Sequence, residues 1–205
     1  MTATIVDDAC LWDGHVALRR IEVAAAGHDT DQTLKREVVT PPDSVAVLLR
    51  RSDDGRVVLT RQLRVPVLWR KEPAMLLEAC AGNLEGVAGL SLADQAEEAE
   101  RSARREAEEE TGWRIDRLRR LFTLYPSPGV SSEAIHLFLA DCTERLGAGG
   151  GLAEEGEHIE TVELTLHEAM AMVGDGRIQD MKTALLIQHA VLLDAGWTTP
   201  GTQIG

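Results

Sequence analysis

Residues 103–113 read Ala-Arg-Arg-Glu-Ala-Glu-Glu-Glu-Thr-Gly-Trp, four glutamates with a glycine two residues beyond the last. In a helix, side chains three and four apart share a face. Glu106, Glu109 and Glu110 therefore cluster, and they repel one another unless something positive joins them. Ala96, Ala99, Ala103 and Ala107 recur at helical spacing behind them, a small-residue stripe that lets a helix lie close against a sheet. A helix is expected over residues 92–111, stopped by Gly112. Taken alone, a glutamate-rich run is ordinarily a solvated face, with Arg101, Arg104 and Arg105 supplying salt bridges along it. The glycine just behind the acids, and companion residues elsewhere, turn the reading toward a metal-binding turn.

Working outward, residues 44–50 (SVAVLLR) and 56–63 (RVVLTRQL) flank Ser52-Asp53-Asp54-Gly55, a hairpin signal. Residues 75–82 (MLLEACAG) form a short apolar run ending in glycine. Further strands are expected at 120–125, 134–140 and 160–166, and helices at 167–176 and 180–196. The glycine cluster 147–151 reads as a loop. Upstream, residues 15–25 and 35–40 read as an antiparallel strand pair or small sheet, cut from the rest by Pro41-Pro42-Asp43. The chain divides into an N-terminal β appendage (1–40), a main domain (41–197) and a tail (198–205). Short strands interleaved with a few helices indicate an α/β or α+β class.

The 205 residues carry 34 acidic and 21 basic side chains, a formal net charge of -13. Such a surface repels phosphate backbones and argues against a nucleic-acid binder. A small phosphorylated substrate is still admissible if cations stand between its charges and the carboxylates. Cys10, Cys80 and Cys142 form neither a disulfide framework nor a metal pattern, which fits a reducing cytoplasm. No signal peptide is readable at the start, and no apolar run approaches the ~20 residues that span a bilayer. His136, inside an apolar run, reads as structural.

Residues 105–113 resemble the second half of the Nudix box, R-E-U-x-E-E-x-G-U with U apolar, and Glu97 stands where that box has its first glutamate. The opening glycine of the box is matched by Gly82, with about nine extra residues between it and Glu97. Lys35-Arg36-Glu37-Val38, Arg61-Gln62-Leu63-Arg64-Val65, Glu78-Ala79-Cys80-Ala81-Gly82, Tyr125–Gly129 and Ile178–Thr183 extend the likeness to the branch that hydrolyses ADP-ribose and nucleotide sugars. The chain is most similar to the GDP-mannose hydrolase subfamily.

That resemblance implies a Nudix fold, an α/β/α sandwich with a mixed sheet, plus the small N-terminal antiparallel β region. It implies magnesium-dependent cleavage of a nucleoside-diphosphate sugar, with manganese as a substitute ion. Glu106, Glu110 and the Ala81 carbonyl are expected as metal ligands. Glu109 is either a ligand or an orienting partner, and Glu157 is a further ligand. Glu155 falls where related enzymes carry their general base; the bland alternative for this loop, Glu154 included, is an acidic segment with no chemistry. Arg64, Gly82, Glu133 and Lys182 match substrate-contacting positions, and Arg105 reads as a brace. Lys35, Arg36 and Glu37 match a segment contributed by the partner of a homodimer. ADP-ribose cleavage and a non-catalytic nucleotide-binding module are the competing readings.

Overall fold

A computed structural model of the chain describes residues 3–25, 33–84, 86, 92–151 and 158–197. Its hub is strand β4 (Ser44–Arg51), whose first six residues are all buried. That burial explains its unbroken apolar reading, because a strand covered on both faces needs no polar alternation. The hairpin around Asp53-Asp54 returns the chain as β5 (Val57–Leu63). These two strands pair only at Leu49–Val58 and Arg50–Val57, then part. The fork is filled by two short strands, Met75–Glu78 (β6) along β5 and Cys80–Asn83 (β7) along β4. Between β5 and β6 lies a five-residue helix, α1 (Val65–Trp69), which the sequence reading did not anticipate.

The helix of the glutamate run comes next, as α2 (Leu92–Glu106) continued by a π-helical turn at Ala107–Thr111. Gly112, at φ 74°, ends it in the left-handed conformation that favours glycine. Strand β8 (Trp113–Leu124) starts immediately afterwards and runs well beyond the expected 120–125. It lies on the sheet edge, and Arg114, Asp116, Arg117 and Arg119 interrupt its apolar pattern. Strand β9 (Ile135–Arg145) lies parallel to β4, and β10 (Glu160–Leu164) pairs with β5. The order β10-β5-β4-β9-β8 makes a mixed sheet.

One face packs Val45, Val47, Leu49, Phe138 and Ala140 against Ala99, Ala103 and Ala107 of the glutamate helix, all three alanines fully buried. The opposite face packs Ala46, Leu48, Val57 and Leu59 against two helices, α3 (Leu166–Gly174) and α4 (Met181–Asp194). Asp180 caps α4 by accepting from the Thr183 amide, which fixes where that helix begins. The α/β/α expectation therefore holds.

The N-terminal region is a separate three-stranded antiparallel sheet of β1 (Ala3–Asp13), β2 (Ala17–Ala25) and β3 (Leu34–Thr40). The strand β1 had no signal in the sequence because it buries neither face, and without a buried face there is no alternation to read. Prolines 41 and 42 do not hold this sheet off as a free spacer. Val39 donates to the Val130 carbonyl at 2.8 Å and accepts from the Ser132 amide at 3.1 Å, tying the base of the sheet to the main body.

Candidate active site

A cleft of about 460 Å³ opens at the fork, lined by β7, the glutamate turn, the start of α4 and the loop before β9. Of the residues singled out from the sequence, Arg64, Ala81, Gly82, Arg105, Glu106, Glu109, Glu110, Glu133 and Lys182 line it together. They come from five separate stretches of chain.

One wall is acidic. Glu110 is 3% exposed and accepts from the Ala81 amide at 3.2 Å. In a strand the N–H and C=O of one residue point to the same side, so the Ala81 carbonyl faces the glutamates as well. The Cys80 thiol lies beside Glu110 too, and burial with that carboxylate pushes it well above the usual thiol range. Gly82 explains itself by space: a Cβ there would stand 2.0 Å from the Glu106 carboxyl carbon. Arg105 reaches Glu106 at 2.9 Å and Glu109 at 3.4 Å, the brace its position suggests. Glu97 is exposed on α2 and does not line the cleft.

Among the described residues, no three acidic, histidine or cysteine side chains converge as a ready cage for an ion. Magnesium needs none, since it keeps several waters and takes one or two carboxylates together with substrate phosphates. The hard oxygen set of Glu106, Glu109, Glu110 and the Ala81 carbonyl fits such an ion. Replacing Gly82 by alanine is expected to push the Glu106 carboxylate aside and, if that carboxylate holds the ion, to raise the half-saturating metal concentration by roughly 10–100-fold. An unchanged half-saturating magnesium concentration in the folded variant would sink this account of Gly82.

The other wall is basic and rests on a residue the sequence reading gave no role. Glu78 is 2% exposed in β6, and its carboxylate accepts from Arg64 through Nε at 2.6 Å and through the terminal nitrogen at 2.9 Å. Lys182 joins the same carboxylate and also approaches Asp180 at 3.0 Å. Burial alone would raise the Glu78 carboxyl, but the Arg64 hydrogen bonds and the Lys182 charge outweigh it and hold it below its ordinary range. Removing either cation would leave the buried Glu78 carboxylate short of a partner, so both are firmly held. Thr183 locks the arrangement from behind, accepting from the Ala79 amide at 2.7 Å. Glu133 accepts from the Ser44 hydroxyl at 2.7 Å at the rim.

The described residues place other expectations away from the cleft. Arg61 is a surface charge paired with Glu160 at 3.1 Å. His136 is buried against Arg120 and Thr123, and burial followed by the Arg120 charge lowers its pKa, in keeping with a structural role. Lys35 pairs with Glu22 at 2.5 Å on the N-terminal sheet, and neither it, Arg36 nor Glu37 lines this chain's own cleft. Glu154, Glu155 and Glu157 lie outside the described residues, as do residues 85 and 87–91 of the stretch between Gly82 and Glu97.

The roots of the acidic loop are described, however. Gly150 donates to the Glu110 carbonyl at 2.8 Å, Gly151 to the Glu109 carbonyl at 3.1 Å, and Ile159 to the Gly150 carbonyl at 3.2 Å. Gly149, at φ 69°, lies so close to Thr111 that a Cβ would come within 2.5 Å of backbone. The glycine cluster, read from the sequence as a loop, is docked on the end of the glutamate turn.

The profile of the NUDIX domain matches residues 40–185. A GDP-mannose pyrophosphatase of Pectobacterium atrosepticum is 41% identical over 167 residues, 81% of this chain and 80% of that one. Another, from Cronobacter sakazakii, is 38% identical over 196 residues, covering 94% and 96%. A crystal structure titled ADP compounds hydrolase superposes with a TM-score of 0.70 over 96% of this chain and 97% of that one at 18% identity, which speaks for the fold alone.

Proposed function

Because the chain belongs to the Nudix hydrolase family, we propose that it cuts the diphosphate linkage of a nucleoside-diphosphate sugar, with GDP-mannose preferred. The observation that carries this reading is the two-signed cleft, with Glu106, Glu109 and Glu110 facing it from one side and Arg64 and Lys182 from the other. A diphosphate needs both: cations to hold its outer oxygens, and carboxylates to hold the ion between. The guanidinium of Arg64 keeps donors beyond those spent on Glu78, and a planar fork suits phosphate oxygens. Magnesium is the proposed ion; bound there, it neutralises phosphate charge and acidifies water. Glu155 takes the proton of the attacking water, whose oxygen joins one phosphorus as the bridging P–O bond breaks. The products are a nucleoside monophosphate and a sugar phosphate.

A panel of nucleotide sugars tests this directly. GDP-mannose is expected to give the highest kcat/KM, with GMP and mannose 1-phosphate as products and ADP-ribose as the nearest rival. Preference for ADP-ribose would overturn the substrate assignment. Magnesium-independent binding without turnover of any member would leave a binding module.

The proposed assembly is a homodimer in a reducing cytoplasm, built through the N-terminal sheet. None of the helices among the described residues is long and apolar enough to cross a membrane, and all three cysteines are free. Ile5, Val6, Leu11 and Trp12 are exposed on β1, the last by 67%, and a small sheet that leaves such apolar side chains in water gains from a partner. Lys35, Arg36 and Glu37 then complete the neighbour's cleft. Deleting residues 1–40 is expected to give a monomer with a raised KM, checked by sedimentation and steady-state kinetics. A truncated protein that stays dimeric with a normal KM would rule this out.

A further inference from the structure

At the far end of α4, on the same face of the sheet, a second pocket of about 240 Å³ is floored by Leu48, Val57, Leu139 and Leu193. Three arginines stand around it: Arg50, Arg117 and Arg119. Sheet register explains their convergence. Val57, Arg50, Asp141 and Arg117 lie in one row across four strands, and Leu139 pairs with Arg119 two residues along. Side chains two apart on a strand share a face, so Arg117 and Arg119 point the same way past the end of α4.

Their charges are not equally spent. Arg50 holds Asp194 through two bonds of 2.7 and 3.0 Å, locking the last residue of α4. Asp141 sits in register between Arg50 and Arg117. Among the described residues, Arg117 and Arg119 make no ion pair. Asp141 is the carboxylate set opposite them, across from Arg117, so the two guanidiniums keep donors for a further anion. Guarding an edge strand would require charge at this place. It would not require a third arginine or an apolar floor.

We propose that this corner is a second binding site, for a small phosphate monoester. Arg117 and Arg119 hold the phosphate, for which paired planar forks are well matched, and the carbon chain lies on the half-buried Leu139 and Leu193. The pocket is below the ~300 Å³ at which drug-sized ligand sites begin, so the ligand is smaller than a dinucleotide. The catalytic cleft lies at the other end of α4, about 20 Å away at 1.5 Å per residue, so the two sites are distinct and this inference does not depend on the identity of the substrate.

The test uses the full chain without divalent metal, titrated with inorganic phosphate and with n-butyl phosphate, and followed by the NMR signals of the arginine Nε–H groups. Arg117 and Arg119 are expected to shift saturably with a dissociation constant of about 1 mM or below for the ester. The ester should bind about tenfold tighter than phosphate because its chain leaves water. The double variant Arg117→Ala/Arg119→Ala should lose this binding while keeping normal turnover, which also certifies its fold. Shifts reproduced by chloride at equal ionic strength would overturn the site, as would binding that survives in the double variant. Equal affinity for the two probes would overturn the monoester assignment.

Discussion

Exchanging Glu110 for glutamine is expected to abolish turnover, by at least roughly 10³-fold in kcat, with the fold intact. The loss follows from charge stabilisation worth several kcal/mol, at 1.36 kcal/mol per factor of ten. Glu110 is the most buried of the three cleft glutamates, and its carboxylate already accepts from the Ala81 amide. Glutamine keeps the volume and that hydrogen bond, since its carbonyl oxygen still accepts. The negative charge goes, and one acceptor oxygen becomes an amide NH2. Its backbone carbonyl, which holds Gly150, is untouched by the change. Circular dichroism and melting temperature should therefore stay close to the parent while product release from the nucleotide sugar disappears. A folded variant with near-normal activity at saturating magnesium would show that Glu110 is not a metal ligand.

Glu155→Gln should lower kcat by about 10²–10⁴-fold, the usual worth of a general base, while leaving magnesium affinity nearly unchanged. The proposal draws support from the described ends of its loop, which leave and rejoin the body at the backbone of Glu109, Glu110 and Gly150. Glu157→Gln, at the proposed further ligand, should instead weaken the magnesium dependence. Should Glu157→Gln alone remove the catalytic step while Glu155→Gln is mild, the assignment through this loop shifts by two residues.

The parts of this architecture that were legible in the sequence are those in which one element carries the whole message. The alanine stripe and the glutamate trio belong to a single helix, so spacing alone predicts that its back is buried and its front acidic. The hairpin at Asp53-Asp54 is equally local. What escaped was distributed. The basic wall joins Arg64, Glu78 and Lys182, with 104 residues separating the last two, and no periodicity links them. A signal was present all the same: Glu78 is a lone acid inside the apolar run MLLEACAG, and a carboxylate buried in a strand must find partners. The strand β1 escaped for the opposite reason, having no buried face to impose a pattern. The π turn and the docking of the glycine cluster were likewise hidden, because both are matters of backbone contact, to which side-chain patterns are blind.

That docking bears on how such a catalyst diversifies. The bonds closing the root of residues 152–157 run from main chain to main chain, and glycines 149–151 ask only for room and an unusual φ. Nothing in the anchor depends on which side chains lie between. A change of length on either side of Glu155 and Glu157 is cheap on that footing, since doubling a loop adds only about 0.6 kcal/mol of closure entropy. Insertions at this root would leave the backbone of the glutamate turn as it is, because the glycines that close it carry no side chain to be displaced.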